Sequence, residues 1–387
     1  MIRPDYSGGG IANLMRTLAD ACGAPPPPQV PLAARYGLAA ATLAEARNIV
    51  LVVVDGLGAQ RLETCGSGVL RTHAGPPLAS VFPSTTAAAI PTFMTGLPPA
   101  QHALTGWHMW FDELQAVTAV LPLKPRAGKA FAEPPAEIAA RLFAHRPLYA
   151  GMNRPAWIVS PADIAFSPFN VFHSRGATTC AYADLAAFTQ TLAGLVRAPG
   201  RKYIYAYWPQ LDSVSHHHGS DSKEARAALA AFCQAFDALV ADLAGSDAVL
   251  LVTADHGFID SPPARVVQLE DHPGLAATLA RPLCGEQRLA WCYLKAGAAG
   301  AFTDYVRRHL DAVAEAVPSA QLIADGWFGP APVHPRLAAR VGDYALLLRE
   351  NWTIKDWLPG ERRYTLLGVH GGTSADEMMV PLSVIRC

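Results

Sequence analysis

Nowhere do the 387 residues hold an unbroken apolar run of the ~18 residues that a membrane-spanning helix needs. The opening MIRPDYSGGGIANLMRTLADACG also lacks the basic stretch, apolar stretch and small-residue cleavage site of a secretory signal, so the chain is expected in the cytoplasm. Excess charge is missing too. The 31 Lys and Arg nearly cancel the 32 Asp and Glu, leaving no electrostatic footprint for a nucleic-acid polymer or a membrane surface. A small ligand bound at one place is favoured instead. The seven cysteines, Cys22, Cys65, Cys180, Cys233, Cys284, Cys292 and Cys387, are odd in number, scattered and never spaced as C-x-x-C. That pattern excludes a disulfide framework and a thiolate zinc site, and free, mostly buried thiols are expected. No internal repeat or low-complexity linker divides the chain, and a homo-oligomer is left open.

What is present is apolar bulk: 51% hydrophobic residues over this length can bury the core of one large α/β domain carrying an insertion. Residues 1–47, with SGGG and APPPPQVPLAA, read as a surface arm and lead-in. NIVLVVVDG, from Asn48, reads as a strand buried on both faces, as at the centre of a parallel sheet. KYIYAYWP at 202–209 and DAVLLVTADHG at 247–257 read as further strands, and ALAAFCQAFDALVADLAG at 228–245 has helical spacing. Strand, helix, strand predicts a doubly wound, mostly parallel sheet flanked by helices. The texture changes over 288–348 to a short β, α, β succession, expected to be a small α+β cap inserted between a first core part (48–287) and a C-terminal core part (349–387).

Asp55 falls at the carboxyl end of the first strand, where a doubly wound fold places its ligand. A dinucleotide fingerprint would need a third glycine where Arg61 stands, and it fails. A metal site would need carboxylates and imidazoles at other strand ends. LDSVSHHHG sets Asp212 and His216 four apart after the strand ending at Trp208, a spacing that brings both to one point on a helix. Asp255 and His256 leave another strand, and His370 lies in a glycine-flanked turn. Each alone has a plain explanation: Asp-Gly is a common turn, and His216, His217 and His218 could be a solvated loop. Together they point to divalent cations. VFPSTTAAAIPTFMTG, residues 81–96, adds hydroxyl residues at a helix start, which either cap the helix or supply a metal-activated nucleophile beside phosphate-binding amides.

These residues resemble the alkaline phosphatase superfamily and, within it, the nucleotide pyrophosphatase/phosphodiesterase-like (type I phosphodiesterase) branch, from Val52 to Pro381. The carrying motifs are VVVDG, FPSTT running without a gap to MTG, Asp212 with His216 and Gly219, Asp255-His256-Gly257, and His370. Two departures stand before Asp212 and His216, where Leu211 and Ser215 replace the usual Pro and Gly. The resemblance implies Thr86 as nucleophile, one metal on Asp212, His216 and His370, and the other on Asp55, Asp255, His256 and the Thr86 oxygen. It also implies two divalent ions, zinc first and manganese second, because the ligands are Asp and His without thiolate. Where the family places an Asn that steadies the phosphoryl oxygen, this chain has Trp107, with His108 next to it as an alternative donor.

The implied reaction is a two-step in-line displacement on a small phosphate ester, nucleotide or phosphonate, with Thr86 transiently phosphorylated. A sulfatase would need C-x-P-x-R, which is absent. A cofactor-independent phosphoglycerate mutase would need a Ser nucleophile, and Ser84 is the wrong member of its triplet. A phosphonoacetate hydrolase or a phosphomonoesterase remains as an enzyme alternative, and an inactive metal-binding module as one of another class. No Lys or Arg lies within the quoted motifs, and Lys124, Arg126 and Lys129 in PLKPRAGK read as a solvated loop, so a diester or phosphonate suits the site better than a dianionic monoester. Trp107, Trp110 and Phe111 could wall an apolar pocket or be plain core.

Overall fold

In the computed structural model, which describes all 387 residues, Asn48–Val54 is a strand buried along its whole length. It runs parallel to Lys202–Trp208 on one side and to Ala248–Thr253 on the other, so neither face meets water and no polar alternation is needed. Ala156–Pro161 and Ala177–Tyr182 extend the sheet beyond Lys202–Trp208, again parallel, and Ser383–Arg386 closes the opposite edge antiparallel to Ala248–Thr253. The expected mostly parallel, helix-flanked sheet is therefore the observed one. The helix read at 228–245 forms as Lys223–Asp242, opened by the Ser222 side chain accepting from the Ala225 amide.

Residues 1–47 do not form an arm. Ile11–Ala21 is a helix, and its Ile11, Leu14, Met15 and Leu18 have the i, i+3, i+4, i+7 spacing of one buried stripe. These side chains belong to the same 71-residue buried cluster as Ile49–Val54, so this helix is part of the core. The Gly and Pro around it conceal it in the sequence, yet Gly10 starts it, with its amide bonded to the Asn13 side chain.

A second, seven-stranded sheet is antiparallel throughout. Leu289–Cys292, Ala314–Pro318 and Tyr344–Leu348 come from the expected cap segment. The sheet is completed by Cys284–Gly285 and by three strands from far earlier, His108–Phe111, Ala116–Ala119 and Lys124–Pro125. The cap is thus not confined to 288–348. The earlier strands span four residues or fewer, too few for a period of two to emerge from the sequence. No helix is long and apolar enough to cross a membrane, and all seven cysteines are unpaired, four of them buried.

Candidate active site

Because Asn48–Val54 and Ala248–Thr253 are adjacent and parallel, Asp55 and Asp255 leave the sheet side by side at its carboxyl edge. His256 follows, with its Nε2 3.3 Å from Asp55 Oδ1 and 3.5 Å from Asp255 Oδ2. Asp212 and His216 sit one turn apart on the helix Gln210–His218, with His216 Nε2 3.3 Å from Asp212 Oδ1. The antiparallel pairing of Gly368–Val369 with Ile259–Asp260 delivers His370, whose Nε2 lies 3.3 Å from that of His216. Two groups result, Asp212 with His216 and His370, and Asp55 with Asp255 and His256. Within each, the potential ligand atoms lie within 4.8 Å of one another. His217 and His218 point to solvent, so only one of the three consecutive histidines joins the site.

Thr86 opens the buried helix Thr86–Thr95. Its hydroxyl lies 3.0 Å from His256 Nε2 and 3.5 Å from both Asp55 oxygens. Its neighbours are turned elsewhere: Ser84 donates to the Gly372 carbonyl at 2.8 Å, and Thr85 donates to Glu286 Oε1 at 2.6 Å. Thr85 occupies the N-cap position without capping through its side chain, and the amides of Thr86 and Ala87 have no protein partner.

The imidazoles are oriented by the main chain. His216 Nδ1 meets the Gly368 carbonyl at 2.9 Å, His256 Nδ1 that of Gly257 at 3.0 Å, and His370 Nδ1 that of Ser84 at 3.3 Å. A carbonyl can only accept, so each Nδ1 carries the proton and each Nε2 presents a lone pair to the cluster. Phe258 packs edge-on against His216, His256 and His370, and the His256 and His370 rings stack 3.7 Å apart. Burial, and then the charges of Asp212 and Asp255, push the Asp55 carboxyl well above its ordinary range. Burial and the neighbouring imidazoles of His256 and His216 hold His370 well below its own. For His216, burial pulls downward but the negative charge of Asp212 beside it outweighs that and raises the group. Asp212 Oδ1 and Asp255 Oδ2 are buried with no hydrogen-bond partner. Crowded carboxylates, orphaned oxygens and inward lone pairs form a donor set that fits two divalent cations.

Two cavities meet at Thr86, Trp107 and Asp212. The one on the cap side, about 370 Å³, is also lined by His108, Arg126, Glu286, Lys355, Trp357 and Tyr364. The other, about 530 Å³, is lined by Tyr205, Tyr207, Phe169, Ile158, Met94 and Lys124 among others. Trp107 is 39% exposed and forms a wall common to both. Trp110 and Phe111, by contrast, line neither cavity, and Phe111 is core. Burial, with Arg126 adding to it, pulls the partly buried His108 down to about 3, so it faces the cavity as a neutral ring. Lys124 is exposed at its cavity's edge, Lys129 is exposed on neither, and Arg126 is held by Asp356 at 2.8 Å and Glu361 at 3.0 Å. Two site residues carry no signal in the sequence. Tyr207 donates its hydroxyl to Asp55 from the neighbouring strand, and Glu286 reaches in from the cap.

This fold and this constellation define an enzyme of the alkaline phosphatase superfamily that hydrolyses phosphoric esters. More narrowly, the chain belongs to the type I phosphodiesterase / nucleotide pyrophosphatase family, whose profile matches residues 49–373. No curated protein matches the chain. Among solved structures, human ectonucleotide pyrophosphatase / phosphodiesterase 5 is similar at 16% identity, covering 87% of each chain with a TM-score of 0.64. The murine protein of the same name also matches at 16% identity over 87% of each chain, with a TM-score of 0.62. Phosphonoacetate hydrolase from Sinorhizobium meliloti 1021, in complex with phosphonoacetate, matches at 16% identity over 88% of this chain and 90% of its own, with a TM-score of 0.66. At such identities the likeness is one of fold.

Proposed function

We propose that the chain is a two-metal phosphodiesterase that attacks phosphorus with the Thr86 hydroxyl. The observation carrying this reading is that Thr86 Oγ1 lies 3.0 Å from His256 Nε2 and 3.5 Å from both Asp55 oxygens, beside the second group Asp212, His216 and His370. Asp212, His216 and His370 would hold one cation, and Asp55, Asp255 and His256 the other, together with the Thr86 oxygen. The mixed Asp and His donors suit zinc, with manganese as the alternative. Bound there, the cations would lower the pKa of the hydroxyl and offset the charge developing on the phosphoryl and leaving oxygens.

Thr86 Oγ1 forms its bond to phosphorus as the bond to the leaving oxygen breaks, and its proton is lost to solvent. The unpartnered amides of Thr86 and Ala87, at the positive end of the helix Thr86–Thr95, face a phosphoryl oxygen. Water then attacks the phosphothreonine from the opposite side, restoring the hydroxyl and releasing the phosphate product. The Nδ1 bonds of the three histidines and the Tyr207 bond to Asp55 keep the donor set in place through both steps.

A diester has two substituents, and two cavities open from Thr86. An inactive variant of the murine neighbour has been solved in complex with AMP, which supports a nucleotide in one of them. Aromatic rings line both cavities, and Trp107 between them suits a flat, apolar group. A second reading, a phosphonate carrying a carboxylate, is favoured by Lys355, which lines the cap-side cavity and makes no ion pair within 4.0 Å. Seven unpaired cysteines fit a reducing compartment, in keeping with a cytoplasmic enzyme. The test is a panel on metal-loaded protein. Bis(p-nitrophenyl) phosphate is expected to turn over faster than p-nitrophenyl phosphate or phosphonoacetate. Preference for phosphonoacetate would select the second reading, and metal binding without any turnover would mark an inactive binding module.

A further inference from the structure

A tight hairpin between Cys284–Gly285 and Leu289–Cys292 brings the cap to the site. Its tip residue, Glu286, inserts its side chain beside the nucleophile turn, where Oε1 accepts two hydrogen bonds, from Thr85 Oγ1 at 2.6 Å and from the Trp107 amide at 2.7 Å. Two residues on, Arg288 forms a buried pair with Glu377, Nε to Oε1 at 3.1 Å. Glu377 in turn accepts from the Gly372 amide at 2.8 Å and the Ser374 hydroxyl at 2.7 Å. The hairpin is therefore pinned on one side to the turn carrying Thr86 and on the other to the turn carrying His370. Gly371, with φ +106°, passes so close to Glu286 that an added Cβ would lie 2.7 Å from its Cβ and Cγ.

We propose that Glu286 is a positioning residue that sets the Thr85–Thr86 turn for phosphoryl transfer, an inference that rests on the phosphodiesterase reading above. Threonine at an N-cap ordinarily turns its hydroxyl back to accept from an amide of the first helical turn. Glu286 draws the Thr85 hydroxyl outward instead, which leaves the Ala87 amide open to the substrate. The same carboxylate fixes the main chain at Trp107, the wall between the two cavities. Removing Glu286 frees Thr85 to close over its own helix and loosens that wall, displacing attack geometry without touching the substrate. What the role needs is an acceptor oxygen, not a proton or a charge, so glutamine can replace it.

The test compares Glu286→Ala, Glu286→Gln, Thr85→Val and the Glu286→Ala/Thr85→Val double variant. Glu286→Ala should lower kcat by about 10- to 100-fold, the size expected when reacting groups are misplaced by about 1 Å. Metal content should stay unchanged. Glu286→Gln should recover most of that loss, and the double variant should be no worse than Glu286→Ala, since the Thr85 bond is already lost in Glu286→Ala and a valine has no hydroxyl to close over the helix. On metal-free protein, hydrogen exchange at the Trp107 amide should speed up in Glu286→Ala and not in Glu286→Gln. Glu286→Ala with wild-type turnover, Glu286→Gln as impaired as Glu286→Ala, or additive losses would each overturn the inference. If Glu286→Ala does not fold, Thr85→Val with Glu286→Gln decides the matter: the first must lose activity and the second must keep most of it. A wild-type protein that binds metal and turns over no phosphorus ester would instead overturn the underlying functional reading.

Discussion

A histidine that gives its Nδ1 proton to a main-chain carbonyl has only Nε2 left to offer, and His216, His256 and His370 all do so with their Nε2 atoms converging. That convergence makes the roles of individual residues testable. Thr86→Ala should abolish turnover while leaving metal content largely intact, because it removes the attacking oxygen and only one of several donors. Turnover comparable to the parent in that variant would move the nucleophile elsewhere. Trp107→Ala should raise KM for an aromatic diester more than it lowers kcat, the pattern of lost uniform binding, read from steady-state kinetics. At this scale the sequence was informative wherever a polar residue follows an apolar run: Asp55, Asp212, Asp255 and His256 all stand at or just past a strand end. Glu286 offered no such cue, lying 201 residues from the threonine it holds. Tyr207 was equally hidden, since a tyrosine in a strand reads as packing until the neighbouring strand puts Asp55 beside it.

Strands and helices with long apolar runs were legible, and those broken into short pieces were not. The central sheet follows from runs of six or seven residues buried on both faces, whereas the cap sheet is assembled from pieces as short as two residues, taken from two distant parts of the chain. Nothing local in His108–Pro125 tells that its partner is Gly285. The N-terminal helix was missed because Gly and Pro clusters around it suggest a loop, while its own four-residue apolar stripe is complete. If that helix belongs to the core, Leu14→Ala or Leu18→Ala should cost about 2–5 kcal/mol in denaturant unfolding, as for buried leucines generally. A peripheral arm would leave the midpoint unchanged. Arg288→Met should likewise destabilise, by about 3–5 kcal/mol, because it strands the Glu377 carboxylate in a buried position.

Over the whole molecule, stability is tied to pH by buried histidines away from the site. His102, His145 and His173 cluster with the Phe143, Phe169 and Phe172 side chains, and His145 Nε2 lies 2.8 Å from His173 Nε2. Burial pulls all three below the ordinary 6.5, His173 to about 3. The folded chain keeps them neutral while the unfolded chain takes up protons once the pH drops below 6.5. Their contribution is therefore complete above that pH and is lost as the pH falls toward 3. Tm should decline between pH 7 and pH 4, and less steeply in a His173→Gln variant. A parallel decline in both would place the sensitivity elsewhere.

The central claim, that Thr86 carries the phosphoryl group between two in-line displacements, is tested most directly by the stereochemical course at phosphorus. A chiral phosphorothioate diester is hydrolysed in isotopically labelled water and the configuration of the product is read. Each displacement inverts the centre, so the Thr86 pathway predicts net retention. Net inversion would show that water attacks the substrate directly and would contradict the account.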